Sequence, residues 1–489
     1  VEASSKLKSL RTLMAEQNVQ AYIVPHSDPH MVIFTLAMYS SPVIRRPNTS
    51  QFLMNGSHLS ADSLDPTVFA SSLKTKPSAG LTLDIFTSES ISASYPINHS
   101  ILGEKQLEAG WEMRKMLKGE PTWFEWVASN LKSGETCGYD PLLVTIGIIG
   151  KKSLLQSKTQ QIDTAEARGK YLKDKGIDFK PLKENLVGKI WTERPPVPQT
   201  KVYILDDSYA GEAAKQKLQN IGKELKAAGA VNYLVTDLCE IACKPKLFIM
   251  IPQPHDFSGT LNLRATDAEC TPLIISYLWL SYDFGGDAIN PSGTFFIQED
   301  RLSEEVKTYL KGLNITVKPY DSVQEAVANT ETKTYVNRSG CNAALYQSFK
   351  NQDALIGKNR SIIEHLKVIS SNHLMQLTKL PFVHRESRTL EKSKDSEIAR
   401  QDGAAVVRYF AWLDHALNVE GKTDITEYTG AKKLDSIRYE QKLNKGLSFP
   451  AISSIGSNGA IVHYKPEEKT AAVLNNKEVY LLDSGGQYL

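Results

Sequence analysis

Residues 7–24 read LKSLRTLMAEQNVQAYIV, and residues 218–235 read LQNIGKELKAAGAVNYLV. At a constant offset of 211, Leu7, Leu10, Met14, Tyr22, Ile23 and Val24 fall on Leu218, Ile221, Leu225, Tyr233, Leu234 and Val235. The first three of each set are spaced 3 and 4 apart, which places them on one face of a helix. The last three form a short apolar run with strand character. Each copy predicts a helix feeding a buried strand, the opening of an α/β unit. Two such openings 211 residues apart predict two similar domains in tandem.

The sequence outward from the repeat supplies the boundaries. Thr192-Glu193-Arg194-Pro195-Pro196-Val197-Pro198 is Pro-rich and suits an extended connector. Within the second unit, Arg301–Leu310 predicts a short amphipathic helix, and Ile315–Val317 and Thr334–Val336 predict strands. Apolar runs at Leu142–Ile149 and Leu247–Ile251 suit buried strands. From residue 396 a third region opens. Val406, Phe410, Leu413 and Leu417 predict an amphipathic helix, and Asp424-x-x-Glu427 reads as a capping box starting another. Helices followed by strands suggest an α+β domain. The expected division is 1–194, 195–370, a divergent linker 371–395, and 396–489.

Composition agrees with a multidomain globular protein of 489 residues, 41% hydrophobic and 23% charged. A net charge of +2 gives no argument for nucleic acid or an anionic membrane as a partner. No apolar run approaches the ~20 residues that span a bilayer. Five scattered Cys favour a reducing, cytoplasmic setting, and Cys239-x-x-x-Cys243 lacks a second pair at zinc spacing. The first residue is not Met, so the expectation is that the natural N-terminus is missing.

The chemistry-bearing residues lie near the end. Gly459-Ala460-Ile461-Val462-His463-Tyr464 and Glu478-Val479-Tyr480-Leu481-Leu482-Asp483-Ser484-Gly485-Gly486 read as two strands, the second ending in an Asp at a Gly turn. Amide hydrolysis at neutral pH needs an activated water and a stabilised oxyanion, which two divalent cations supply together. A carboxylate is the natural bridging ligand for such a pair. Asp483 suits that role, and His463 suits a hydrogen bond to substrate or oxyanion. On these two residues alone the reading stays open: an Asp at a turn is usually a turn former, and a lone strand His is usually a core residue.

A family resemblance weights the choice. Leu10–Val24, Gly119–Trp126, Glu184–Trp191, Leu302–Lys307, Asp402–Arg408, Phe449–Tyr464 and Glu478–Tyr488 resemble cytosolic aminopeptidase P, of the creatinase/prolidase-type metallopeptidases. The resemblance implies two creatinase-N-type α/β domains followed by a pita-bread α+β domain. It implies release of the N-terminal residue from peptides with proline in second place, two Mn²⁺ ions, and a possible homodimer. Asp483 stands at a metal-ligand position of the family and His463 at a substrate-contacting one. The family's four other metal ligands would follow Tyr488. The expectation is therefore a C-terminally truncated chain with an incomplete pita-bread domain, inactive alone; the alternative is a non-catalytic dimerisation or interaction protein. Residues 31–103, 243–260 and 371–396 depart from the family pattern abruptly, as misjoined exon text would, and the block 243–260 is expected to be looped out.

Overall fold

The computed structural model describes residues 2–25, 68–72, 83–88, 111–116, 121–146, 165–242, 259–366 and 390–488, apart from 122, 193, 195, 211, 287, 339, 359, 360, 462 and 463. It forms two compact units, one of residues 1–268 and 272–372 and another of 373–489 with 269–271.

The first unit contains both copies of the repeat. Helix α1 (Glu2–Glu16) leads into β1 (Ala21–Pro25). Strands β2 (Val68–Ser72), β3 (Leu83–Ser88) and β4 (Trp111–Met116) follow, then α2 (Trp123–Asn130) and β5 (Thr136–Tyr139). Helix α3 (Ala165–Asp174), β6 (Asp178–Pro181) and α4 (Leu186–Ile190) complete this half. The second half runs β7 (Tyr203–Ile204), α5 (Ala214–Ala227), β8 (Asn232–Val235), β9 (Leu263–Arg264), β10 (Tyr277–Asp283) and β11 (Asn290–Phe296). It continues through α6 (Glu304–Gly312), β12 (Ile315–Lys318), β13 (Thr334–Asn337) and β14 (Leu355–Lys358).

The repeat holds at the level of the turn. Val19 N–H donates to the Met14 carbonyl at 2.9 Å across Asn18, whose φ is 53°. At the same offset, Ala230 N–H donates to the Leu225 carbonyl at 3.1 Å across Gly229, whose φ is 73°. Both helices end in a left-handed residue with a six-to-one closing bond, which satisfies a terminal carbonyl and turns the chain into its strand. Asn and Gly are the residues that tolerate that conformation at low cost. Leu10, Met14, Tyr22 and Ile23 are buried, as are all six matching positions of the second copy.

The sheets repeat too. Strand β1 lies between antiparallel β2 and parallel β5, with β6 parallel beyond it, giving the order β2-β1-β5-β6. Strand β8 lies between antiparallel β10 and parallel β13, with β14 parallel beyond, inside the order β12-β11-β10-β8-β13-β14. The second sheet is thus the first with β11 and β12 added. Its core includes Leu218, Ile221, Leu225, Tyr233 and Val235. Gly222 faces Tyr282 and Ile289 so closely that a Cβ would sit 2.5 Å from Ile289.

Some expectations shift. Leu142–Ile149 is not a strand where described: residues 141–146 form a turn ending in a single bridge, Thr145 to Asn342, and Leu142 is exposed. Asp140 causes the turn, accepting the Leu142 N–H on its side chain at 2.8 Å and the Val144 N–H on its carbonyl at 3.1 Å. Block 31–103 supplies β2 and β3, which its irregular composition does not announce. Leu247–Ile251 and Cys243 lie outside the described residues. The described residues on either side of 243–258 are close together: Thr260 N–H and Oγ1 both donate to the Glu240 carbonyl, at 2.9 and 2.8 Å. The expected helix at Arg301–Leu310 begins later, capped by Ser303, whose Oγ accepts from Val306 N–H.

The second unit contains α7 (Leu390–Asp414), α8 (Glu427–Tyr439), β15 (Asn444–Ile455) and β16 (Tyr480–Tyr488). Helix α7 starts inside the predicted linker 371–395. Its inward face is Ala405, Tyr409 and Leu413, which keeps Leu413 of the predicted stripe but replaces Val406 and Phe410 by the residues before them, and Phe410 is 44% exposed. Small Ala and amphipathic Tyr form the buried seam, so counting only large aliphatic residues misplaces it. The two helices pack on the antiparallel pair β15–β16 through Ile425, Leu434, Ile437 and Ile455.

Candidate functional site

The site is built on β15, β16 and the start of α8. Strand β16 continues past Asp483 to Tyr488, so the Asp lies within the strand rather than at a turn. It pairs with Ile452, and Tyr480 pairs with Ile455. Alternation sends Tyr480 and Leu482 toward the helices, where both pack on the core, and leaves Leu481 and Asp483 exposed. The Asp483 carboxylate is therefore presented on the face opposite α7 and α8.

Gly485 and Gly486 serve close approach within the strand. A Cβ on Gly486 would lie 2.8 Å from the Tyr488 ring and 2.9 Å from Asp402 Oδ1, and one on Gly485 would strike Ser448 Oγ. Register shifts between Leu447 and Phe449 and between Phe449 and Ile452 accompany them, as expected where glycines let a pair bulge. The end of the strand is held by Asp402 of α7. Arg438 of α8 donates to it through Nε at 2.8 Å and Nη2 at 3.0 Å, and Tyr488 Oη donates to Oδ1 at 2.9 Å. Arg438 is buried, so this two-pronged pair ties both helices to β16 in a partly desolvated setting. Burial, then the bond to Asp402 and that carboxylate's charge, push the Tyr488 hydroxyl up to about 12.

Where described, the stretch 459–464 is not a strand. Residues Gly456–Ala460 form a 3₁₀ turn, entered through Gly456 at φ 57°. His463 and its neighbour Val462 lie outside the described residues. The capping box also differs from expectation. Thr426 caps α8 by accepting from Thr429 N–H at 3.2 Å, and Thr429 Oγ1 accepts from Thr426 N–H at 2.8 Å. Thr426 is the last residue in extended backbone before the helix, which is what a cap requires.

Glu427 is thereby released for another task. It is fully buried, yet its carboxylate accepts from Ile455 N–H at 2.7 Å, Ala472 N–H at 2.9 Å, Tyr464 Oη at 2.6 Å and Asn458 Nδ2 at 3.1 and 3.2 Å. Sequence reasoning placed Glu427 in a capping box and missed this role, because the partners just named for Ile455 and Ala472 lie 28 and 45 positions away. Asp402 and Arg438 were missed for the same reason: an ion pair between two helices leaves no local spacing.

Among the described residues no group of three or more His, Cys, Asp or Glu is placed to hold a metal ion. Asp483 is a single exposed carboxylate, and the described residues do not fit a two-metal site by themselves.

Two family models match the chain: Creatinase/Prolidase N-terminal domain at residues 193–243 and 245–372, and Metallopeptidase family M24 at 396–489. A probable Xaa-Pro aminopeptidase P of Sordaria macrospora is 30% identical over 100% of this chain and 67% of its own length. The protein of the same description from Penicillium rubens shows 30% identity with the same shares.

The chain belongs to the Xaa-Pro aminopeptidase P family.

It also matches the Pyrenophora teres member at 29% identity, spanning 63% of that protein's length. The chain thus spans a little under or about two thirds of these family members. A solved X-prolyl aminopeptidase from Caenorhabditis elegans, described as a cytosolic enzyme with a di-nuclear active site, superimposes with TM-score 0.70 and 22% identity over 99% of this chain and 68% of that one. The fold is that of this structure, with creatinase-N-type and M24 pita-bread domains. Membership of a metallopeptidase family implies a divalent metal. No helix among the described residues is long and apolar enough to cross a membrane.

Proposed function

We propose that the protein carrying this chain is a metal-dependent aminopeptidase that releases the N-terminal residue from peptides with proline in second place. The observation that supports this most is identity with probable Xaa-Pro aminopeptidases P along the whole of the chain. The metal is proposed to be Mn²⁺, with Asp483 as one ligand and His463 as a substrate contact, both by position in the family motifs. The proposed division is 1–194 and 195–370 as two creatinase-N-type domains, 371–395 as a linker, and 396–489 as the N-terminal part of the pita-bread domain. A cytoplasmic setting and a homodimer complete the reading.

A polypeptide of residues 1–489 and nothing more is proposed to be inactive, since the described residues offer no metal-holding cluster. That same observation favours one second reading, a non-catalytic dimerisation or interaction protein of this family. Hydrolysis of an Xaa-Pro peptide with added Mn²⁺ tests both. The 489-residue polypeptide and the full natural protein are assayed side by side. Activity in the full protein alone supports the aminopeptidase reading, activity in neither favours the second, and activity in the 489-residue polypeptide overturns the proposed incompleteness.

A further inference from the structure

We propose that Glu427 is the positioning residue of this site, fixing through one buried carboxylate Ile455, Asn458, Tyr464 and Ala472, four described points on the connection that leads from β15 toward β16. The proposal rests on the aminopeptidase reading for its catalytic consequence and on geometry for its structural one. Four donor groups converge on the two oxygens. Oε1 takes Ile455 N–H at 2.7 Å and Asn458 Nδ2 at 3.1 Å. Oε2 takes Tyr464 Oη at 2.6 Å, Ala472 N–H at 2.9 Å and Asn458 Nδ2 at 3.2 Å. A carboxylate offers about four acceptor positions, so this one is saturated, and bonds to an ionised acceptor are the strong kind.

The donors are distributed with a purpose. Ile455 is the last residue of β15 and pairs with Tyr480, three positions before Asp483. Ala472 marks the return of the connection, and its carbonyl accepts the Glu427 N–H at 2.9 Å. Asn458 and Tyr464 lie between, and Asn458 Nδ2 also donates to Tyr464 Oη at 3.1 Å. Exit, middle and return of the segment whose sequence includes His463 are thus bound to one group at the head of α8. Burial, with the Glu427 bond and charge, raises the Tyr464 hydroxyl well above its ordinary value, which keeps it a donor. Thr426 and Thr429 already cap the helix, so capping does not account for Glu427.

Glu427→Gln tests this in the full natural protein. It keeps the volume but turns one acceptor oxygen into a donor facing donors. Amide hydrogen exchange at 455–472 is expected to quicken by about tenfold or more, while the core of α5 is unchanged. Displacing site residues by about 1 Å costs on the order of a hundredfold, so kcat/KM for an Xaa-Pro peptide is expected to fall by 10- to 100-fold. Tyr464→Phe, which removes one donor, should move both readouts the same way by less and remains informative if Glu427→Gln fails to fold. Leu310→Ala, a buried core change in the first unit, controls for lost stability and should leave exchange at 455–472 and kcat/KM unaltered in the folded fraction. Unchanged exchange at 455–472 in both Glu427→Gln and Tyr464→Phe overturns the proposal. Faster exchange with unchanged kcat/KM overturns its catalytic half. If the unsubstituted protein hydrolyses no Xaa-Pro peptide, the aminopeptidase reading fails while the exchange result still decides the structural role.

Discussion

At the scale of single residues, the glycines and tyrosines around β16 are closely constrained. A Cβ at Gly486 would meet both the Tyr488 ring and Asp402 Oδ1 below 3.0 Å. Gly486→Ala is therefore expected to cost about 1–3 kcal/mol, as overpacking does, and to loosen the Asp402–Tyr488 bond; thermal unfolding of the variant measures it. The hydroxyls of Tyr409, Tyr464, Tyr480 and Tyr488 are all raised, with burial the largest cause for each. In a spectrophotometric titration they should ionise after the exposed tyrosines. Tyr488 sets the sign of its own linkage. Its folded value of about 12 exceeds the ordinary 10.0, so the stabilisation is complete below pH 10 and is lost as pH rises toward 12. Tyr488→Phe should flatten that part of the stability–pH curve.

At the scale of elements, the second sheet is locked by a buried ion pair. Asp267 and Arg301 meet at 2.5 Å with almost no exposure. Asp267 also accepts from Thr200 Oγ1 at 2.6 Å and Ile275 N–H at 2.7 Å. Removing one partner strands a buried charge, so Asp267→Ala is expected to destabilise by about 3–5 kcal/mol in urea unfolding. How legible the elements were follows from how local their causes are. The helix-then-strand repeat was readable because burial there follows a fixed period, and even the left-handed turns at Asn18 and Gly229 share the offset. The turn at 141–146 was not, because an Asp side chain there outcompetes an apolar run. The α7 face was displaced because a buried Tyr looks polar in a sequence. In the candidate site, Asp483 is proposed from its motif. Glu427, Asp402 and Arg438 are not, since each acts on partners that the fold alone brings near.

At the scale of the whole molecule, the described chain divides into a unit holding both repeated sheets and a unit holding α7, α8 and the β15–β16 pair. Val479 is 81% exposed, and the β16 residue Leu481 is 41% exposed. Exposed apolar residues on a pair that is two-stranded among the described residues favour association, so light scattering of the 489-residue polypeptide should rise with concentration, and less steeply in Leu481→Ser. The junction at Ala242 and Gly259 carries a different consequence. Lys217 Nζ donates to the Gly259 carbonyl at 3.3 Å and to Asn262 Oδ1 at 2.6 Å, and Arg264 donates to the Ala242 carbonyl, so the described residues on both sides of 243–258 are anchored. Closure cost grows by only about 0.6 kcal/mol per doubling of length. A reporter or affinity tag spliced in place of residues 243–258 is expected to leave the thermal midpoint of the first unit nearly where it was, and a large drop would show that the anchors at Ala242 and Gly259 do not close the gap by themselves.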